Sequence, residues 1–192
     1  KPGNYVARQV SRWSKQYRAS ETDNIEAMNN LIEWLPKNIP DDDETTIVHG
    51  DYRLDNMILR NNEVIGILDW ELSTLGHPIA DFSYHCLSWR TQEAFWDEAK
   101  LKELGIPSEK EYMEMYCKYS GKDLSKNWEF YMAFNMFKIA GILQGILGRV
   151  RDGTAASKHA EERGNMVFPL SQAAWETIEA VSYTHLTLPT TR

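Results

Sequence analysis

Basic residues are in the minority in this 192-residue chain: 21 Lys and Arg stand against 28 Asp and Glu, a net charge of −7. A nucleic-acid binder presents a basic face, and none is visible, so no nucleic-acid partner is expected. The acidity reads as ordinary solubility, with a cationic substrate as the alternative. Cysteine is scarce. Cys86 and Cys117 sit in apolar, helix-like settings and make neither a metal pair nor a disulfide framework. They read as core thiols in a reducing, cytoplasmic compartment. No signal-peptide pattern opens the chain. Long apolar runs are also few. The longest, Phe130 to Val150, has the length of a membrane span. Asn135, Lys138 and Gln144 interrupt it, as do Gly141, Gly145 and Gly148. It reads as a buried helix of a soluble domain, with no membrane partner.

What is present is a core. The chain is 42% hydrophobic with 7 Trp, 9 Tyr and 6 Phe, enough for one packed domain or much of a larger one. Helical spacing runs through residues 4–18 on Tyr5, Val6, Val10, Trp13 and Tyr17, and through 23–35 on Ile25, Met28, Leu31, Ile32 and Leu35, stopping at Pro36. An acidic turn, Asp41-Asp42-Asp43-Glu44, precedes a β-branched strand at Thr45–Val48. Met57-Ile58-Leu59 and Val64–Leu68 flank Asn61-Asn62 as a hairpin. An irregular loop is expected after Asp69, closing at Gly76-His77-Pro78, with Pro78 in the first turn of a helix. Ile79, Phe82, Cys86 and Trp89 then make one helical face. Ser108 with Glu111 forms a capping box ahead of a helix carrying Tyr112, Met115, Tyr116 and Tyr119, stopped by Gly121. Ser125 is a candidate cap for the long apolar helix, and a last helix spans about 165–180. The expected fold is α+β and mostly α-helical, with a small β-hairpin at its chemical centre. The chain opens on Lys1-Pro2-Gly3 and reads as a piece of a longer protein. Residues 182–192 leave the helical pattern and read as a non-native or flexible tail, so the domain is drawn at 1–181.

The chemistry concentrates in His49-Gly50-Asp51-Tyr52-Arg53-Leu54-Asp55-Asn56, followed by Leu68-Asp69-Trp70-Glu71. Four residues between Asp51 and Asn56 make a loop tight enough for both side chains to converge. A carboxylate there can accept the hydrogen bond of a substrate hydroxyl, align it for in-line attack on a phosphoryl group, and take its proton late. Asn56 offers a neutral oxygen and Asp69, across the hairpin, a charged one. Two such ligands suffice for magnesium (Mg2+), which brings phosphate and water oxygens of its own.

Neighbouring residues have two readings. Glu71 is a further metal ligand if its segment is extended, because alternate residues of a strand share a side, or else a surface carboxylate. Arg53 neutralises the transferring phosphoryl group or pairs with Asp55. His49 is expected to hold the loop by backbone hydrogen bonds rather than to act as a base. His77, Asp81 and His85 could suggest a His/Asp metal hydrolase, but Asp81 and His85 are also a simple i, i+4 pair, and that reading leaves Asn56 unexplained. Trp128, Tyr131, Phe134 and Phe137 read as core.

HGDYRLDN with ILDWELSTLGHPIADFSYH resembles the aminoglycoside phosphotransferase and choline kinase superfamily, which shares the protein-kinase-like fold, and within it the phosphotransferases associated with acyl-CoA dehydrogenases. The resemblance covers about residues 1–180. It implies that Asp51 is catalytic, that Asn56 and Asp69 hold magnesium on ATP, that Asp81 supports the loop, and that helices beyond about residue 91 help to build the acceptor pocket. Gly50 stands where protein kinases have the arginine of H-R-D, and Asp69-Trp70-Glu71 where they have D-F-G, as suits a small-molecule kinase. No Gly-rich loop or strand lysine precedes residue 45. The expectation is therefore the C-terminal lobe alone, inactive by itself, whose substrates are a nucleotide and a small-molecule hydroxyl (hydroxyacyl or acyl-CoA-related first, aminoglycoside second), with an acyl-CoA dehydrogenase domain as fused or separate partner. A pseudokinase-like binding or regulatory module is the rival; against it, Asp51, Asn56 and Asp69 are all present, and loss of any one would have been its sign.

Overall fold

The computed structural model describes residues 4–41, 44–91, 98–156 and 159–187. The chain forms two compact units, Glu44–Trp128 and a second made of Lys1–Asp43 with Glu129–Arg192. The fold is α+β and mostly helical.

Among its described residues, the discontinuous unit forms helices and no strand. Helix α1 (Tyr5–Ser20) buries Val6, Val10, Trp13 and Tyr17, one stripe at helical spacing. Helix α2 (Glu26–Trp34) buries Ala27, Met28 and Leu31, then tightens into a 3-10 turn at Leu35–Lys37, where Pro36 ends the α-helical bonding.

Most of a third long helix, Trp128–Arg151, belongs here too; it is numbered α7 in chain order after the helices given below. It is long and apolar enough to cross a membrane, but 61% of its most apolar stretch is buried in the protein, as in the core helix of a soluble domain. Tyr131, Phe134 and Phe137 are core residues, as expected. Gly141 and Gly148 let α1 approach: a Cβ at Gly141 would meet the Trp13 carbonyl at 3.5 Å, and one at Gly148 would meet the Ser20 Cβ at 3.0 Å. Gln144, fully buried, donates through Nε2 to the Ser20 carbonyl at 2.7 Å and to Thr22 Oγ1 at 3.0 Å. The polar residue that interrupts the apolar run thus satisfies an orphan carbonyl at the end of α1. Two helices follow, Ala160–Gly164 (α8) and Val167–Thr187 (α9), and α9 lies along α2. The expected tail from residue 182 is helical as far as Thr187, and residues 188–192 lie outside the described residues.

Among the described residues, all the strands lie in the unit Glu44–Trp128. The hairpin of β2 (Met57–Arg60) and β3 (Glu63–Ile67) turns at Asn61 and Asn62, with φ of 51° and 63°. Positive φ at both central residues matches the twist of the strands, and Asn tolerates it. The β1 strand (Thr46–Val48) does not stand alone. It pairs antiparallel with β4 (Thr74–Gly76), Val48 opposite Thr74, within the stretch expected to be an irregular loop.

Helix α3 (Pro78–His85) starts with Pro78 at its first position and His77 as cap, whose Nδ1 accepts from the Ile79 N–H at 3.3 Å. Three helices follow: α4 (Ser88–Thr91), α5 (Glu98–Glu103) and α6 (Glu109–Ser120). The capping box of Ser108 and Glu111 is formed, and Gly121 closes α6 at φ 72°; such caps contribute about 1 kcal/mol each. Phe82 stacks on Tyr116 at 3.9 Å and ties α3 to α6. Ser125 is not the cap of α7, because that helix begins only at Trp128; the Ser125 N–H donates to the Asp123 carboxylate at 2.9 Å. Cys86 is buried and Cys117 half-buried, both as free thiols. Asp42 and Asp43 of the acidic turn lie outside the described residues, and Glu44 pairs with Lys122.

Candidate active site

Strand β1 ends at Val48 and delivers His49 into a buried position, 3% exposed. The Nε2 atom of His49 lies 2.7 Å from the Leu68 carbonyl, which can only accept, so Nε2 carries the proton and donates. Its Nδ1 accepts from the Asp51 N–H at 3.3 Å. These two bonds set the tautomer of the ring, and Trp70 covers it at 4.8 Å between ring centres. With both nitrogens engaged, His49 pins the loop and has no atom left for base or ligand work.

The next residue shows why glycine follows. Gly50 has φ +86°, and a Cβ there would lie 2.6 Å from the Leu72 carbonyl oxygen. The chain after β1 passes so close to the turn beyond Asp69 that no side chain fits. The two backbone N–H groups at this bend point at one carboxylate. Asp81 Oδ2 accepts from His49 N at 2.6 Å, and Oδ1 from Gly50 N at 2.9 Å. Charge-assisted bonds of this kind contribute about 1.5–3 kcal/mol each when shielded from water. Asp81, one turn into α3, thus fixes the loop from beneath.

Asp51 is half-buried and held from two sides. Asn56 Nδ2 donates to Asp51 Oδ2 at 3.0 Å and to the Asp51 carbonyl at 2.9 Å. The Tyr84 phenol donates to Asp51 Oδ1 at 2.8 Å. Because Asn56 presents its amide nitrogen to Asp51, its side-chain oxygen is the atom left to meet a cation. The β2–β3 ladder pairs Met57 with Ile67, and one step further the Leu68 N–H donates to the Asn56 carbonyl at 2.8 Å. Leu68 is therefore bonded to Asn56 through its N–H and to His49 through its carbonyl, which fixes the backbone next to Asp69. Asp69 is exposed and left-handed (φ 63°, ψ 52°), a conformation Asp tolerates, and it caps a 3-10 turn at Trp70–Leu72.

That turn removes the argument for Glu71. An extended segment would have set Glu71 on the side of Asp69, but the chain is left-handed at Asp69 and helical immediately after, so the two-residue alternation does not apply. Glu71 lies exposed in the turn. Arg53 forms the expected ion pair with Asp55, and both are largely exposed. The pairing with Asp55, followed by the charges near Tyr84 and Asp51, raises the Arg53 pKa and keeps the guanidinium charged.

The candidate hydrolase trio disperses. His77 caps α3, Asp81 holds the loop, and His85 lies 3.2 Å from the Tyr112 hydroxyl with its ring against Tyr52. Burial pushes the His85 pKa down, against smaller opposing effects of the Tyr52 backbone and Asp81. Among the described residues no three His, Cys, Asp or Glu side chains gather as a metal cage. Tyr84 was not identified from sequence. Its signal was its position three residues after Asp81, on the same side of α3.

The arrangement can align a hydroxyl on Asp51, with Asn56 offering an amide oxygen to a hard cation and Asp69 following Leu68 in the chain, the residue types that phosphoryl transfer requires. A family model described as phosphotransferase enzyme family matches residues 1–116. Acyl-CoA dehydrogenase family member 10 of Mus musculus is 45% identical over 183 residues, covering 92% of this chain and 17% of that protein. Acyl-CoA dehydrogenase family member 11 of Homo sapiens is 42% identical over 175 residues, covering 88% and 22%. Among solved structures, a candidate aminoglycoside phosphotransferase from Ralstonia eutropha JMP134 is 49% identical with a TM-score of 0.87, covering 94% of this chain and 57% of that one. The chain thus spans less than a quarter of these curated relatives and 57% of the solved chain.

Proposed function

This chain belongs to the phosphotransferase enzyme family, and from that membership we propose that it carries the chemical half of an ATP- and Mg2+-dependent transferase that phosphorylates a small-molecule hydroxyl. The observation that carries the reading is the joined set Asp51–Asn56–Leu68, with Asp69 next in the chain. Asp51 orients the acceptor hydroxyl and receives its proton. The side-chain oxygens of Asn56 and Asp69 would hold magnesium, which when bound draws charge from the phosphates of the nucleotide. A two-oxygen set suits a cation that keeps phosphate and water ligands, and the donor chemistry of these residues fits it. Arg53, exposed and charged at the loop, would meet phosphate oxygens once it leaves Asp55.

The nucleotide-cradling lobe is proposed to lie in the part of the whole protein outside this chain. Supporting this, apolar side chains around the site face solvent: Leu54 is 66% exposed, Leu59 59% and Leu72 59%. Residues 1–181 then work as a C-terminal lobe, inactive alone.

For the acceptor, a hydroxyacyl or acyl-CoA-related compound is proposed first, because the mouse and human relatives bear the acyl-CoA dehydrogenase name. An aminoglycoside is second, after the name of the Ralstonia structure. A fused dehydrogenase domain is the proposed partner. Full-length protein assayed with MgATP against hydroxyacyl-CoA and aminoglycoside panels tests the order. Transfer to a hydroxyacyl-CoA is expected, and transfer to aminoglycosides alone would reverse it.

A further inference from the structure

We propose that Tyr84 is a positioning residue of the phosphotransfer site, holding the Asp51 carboxylate at the angle from which it orients the acceptor hydroxyl. The inference rests on the reading of Asp51 given above and goes beyond it, since Tyr84 lies outside the H-G-D-x-x-x-x-N motif.

The geometry is a clamp. A carboxylate on a loop can rotate about its Cβ–Cγ bond, and rotation misaligns any hydroxyl that hydrogen-bonds it. In this site each oxygen has its own donor: Tyr84 Oη on Oδ1 at 2.8 Å and Asn56 Nδ2 on Oδ2 at 3.0 Å. Two donors on two oxygens fix the carboxylate plane, while each oxygen keeps a lone pair for substrate. Both donors leave Asp51 in place, but they differ in footing. Asn56 belongs to the same loop as Asp51. Tyr84 stands on α3, the helix whose Asp81 holds the backbone N–H groups of His49 and Gly50. One helix turn therefore fixes both the loop's main chain, through Asp81, and its reacting side chain, through Tyr84. The i, i+3 spacing of the two residues puts both on the side that faces the loop.

The phenol is suited to be a permanent donor. Burial, followed by its bond to Asp51, pushes the Tyr84 pKa up to about 12, so the proton stays on the oxygen.

The test uses the full-length protein and MgATP, with ADP release measured with water and with a hydroxyacyl-CoA as acceptor. Tyr84 is replaced by Phe, by 4-fluorophenylalanine, which fills the space of the hydroxyl without a donor, and by 3-fluorotyrosine, which keeps the donor. The expected result is a kcat lower by about 10- to 100-fold for Phe and for 4-fluorophenylalanine alike, an unchanged KM for ATP, and kcat retained with 3-fluorotyrosine. Restoration of kcat by 4-fluorophenylalanine would reduce Tyr84 to packing and overturn the proposal, as would wild-type kcat in Tyr84→Phe. Detection of phosphate on Tyr84 after incubation would overturn it too, making the phenol an acceptor. Asp51→Ala run alongside separates the two levels: if it retains kcat, the reading of Asp51 itself falls; if it loses kcat while Tyr84→Phe does not, only the role of Tyr84 falls.

Discussion

Asn56 gives both hydrogens of its side-chain amide to a single residue, one to the Asp51 carboxylate at 3.0 Å and one to the Asp51 carbonyl at 2.9 Å. The five-residue spacing of the motif is the length that closes this ring. The amide nitrogen faces Asp51 and the amide oxygen faces away, so one side chain both orients the acid and offers a ligand atom.

Replacement of Asn56 by Asp exchanges a donor for a like charge against Asp51. We expect the full-length protein carrying Asn56→Asp to be destabilised by about 1–4 kcal/mol without metal, because two carboxylates about 3 Å apart repel in a half-buried site. Added Mg2+ should restore much of the loss. Thermal melting with and without Mg2+ reads this, and equal melting temperatures for wild type and variant in the absence of metal would refute the contact.

Gly50→Ala is expected to disrupt the loop rather than merely strain it. The new Cβ would sit 2.6 Å from the Leu72 carbonyl oxygen, a backbone atom that cannot swing aside, and φ +86° adds a conformational cost of about 1–3 kcal/mol. The bend that presents His49 and Gly50 N–H to Asp81 should open. A melting temperature and turnover equal to wild type would contradict this.

Alkaline pH should unfold the chain earlier than its charge alone requires. Tyr17, Tyr84 and Tyr112 are raised from 10.0 to about 12, in each case chiefly by burial. The unfolded chain ionises its tyrosines near 10 while these three keep their protons in the folded state. Their stabilising contribution is therefore complete below pH 10 and is lost as pH rises through about 12. Phenolate absorbance of the folded chain should show these groups ionising last. Tyrosines that all ionise together near pH 10 before unfolding would be the contrary result.

Local patterns account for what was legible in advance. The stripe on α1, the capping box at Ser108 and the Asn61-Asn62 turn are written within a few neighbouring residues, and each formed as read. Features that depend on distant partners were not legible. Strand β4 is three residues long and exists because β1 pairs with it. The Tyr84 bond to Asp51 spans 33 residues. Glu71 was assigned by assuming an extended chain, and the left-handed turn at Asp69, made where the chain passes the Gly50 bend, removes that assumption. The motif residues stand out by their spacing in the sequence, but the helix that steadies their loop is visible only in the fold.

The measurement that bears most directly on the account is phosphoryl transfer from γ-labelled ATP by the full-length protein, comparing wild type with Asp51→Ala at saturating Mg2+. The account predicts Mg2+-dependent transfer to a small-molecule hydroxyl, reduced by about 10²- to 10⁴-fold in the variant with ATP binding kept. Transfer that persists undiminished in Asp51→Ala would contradict it.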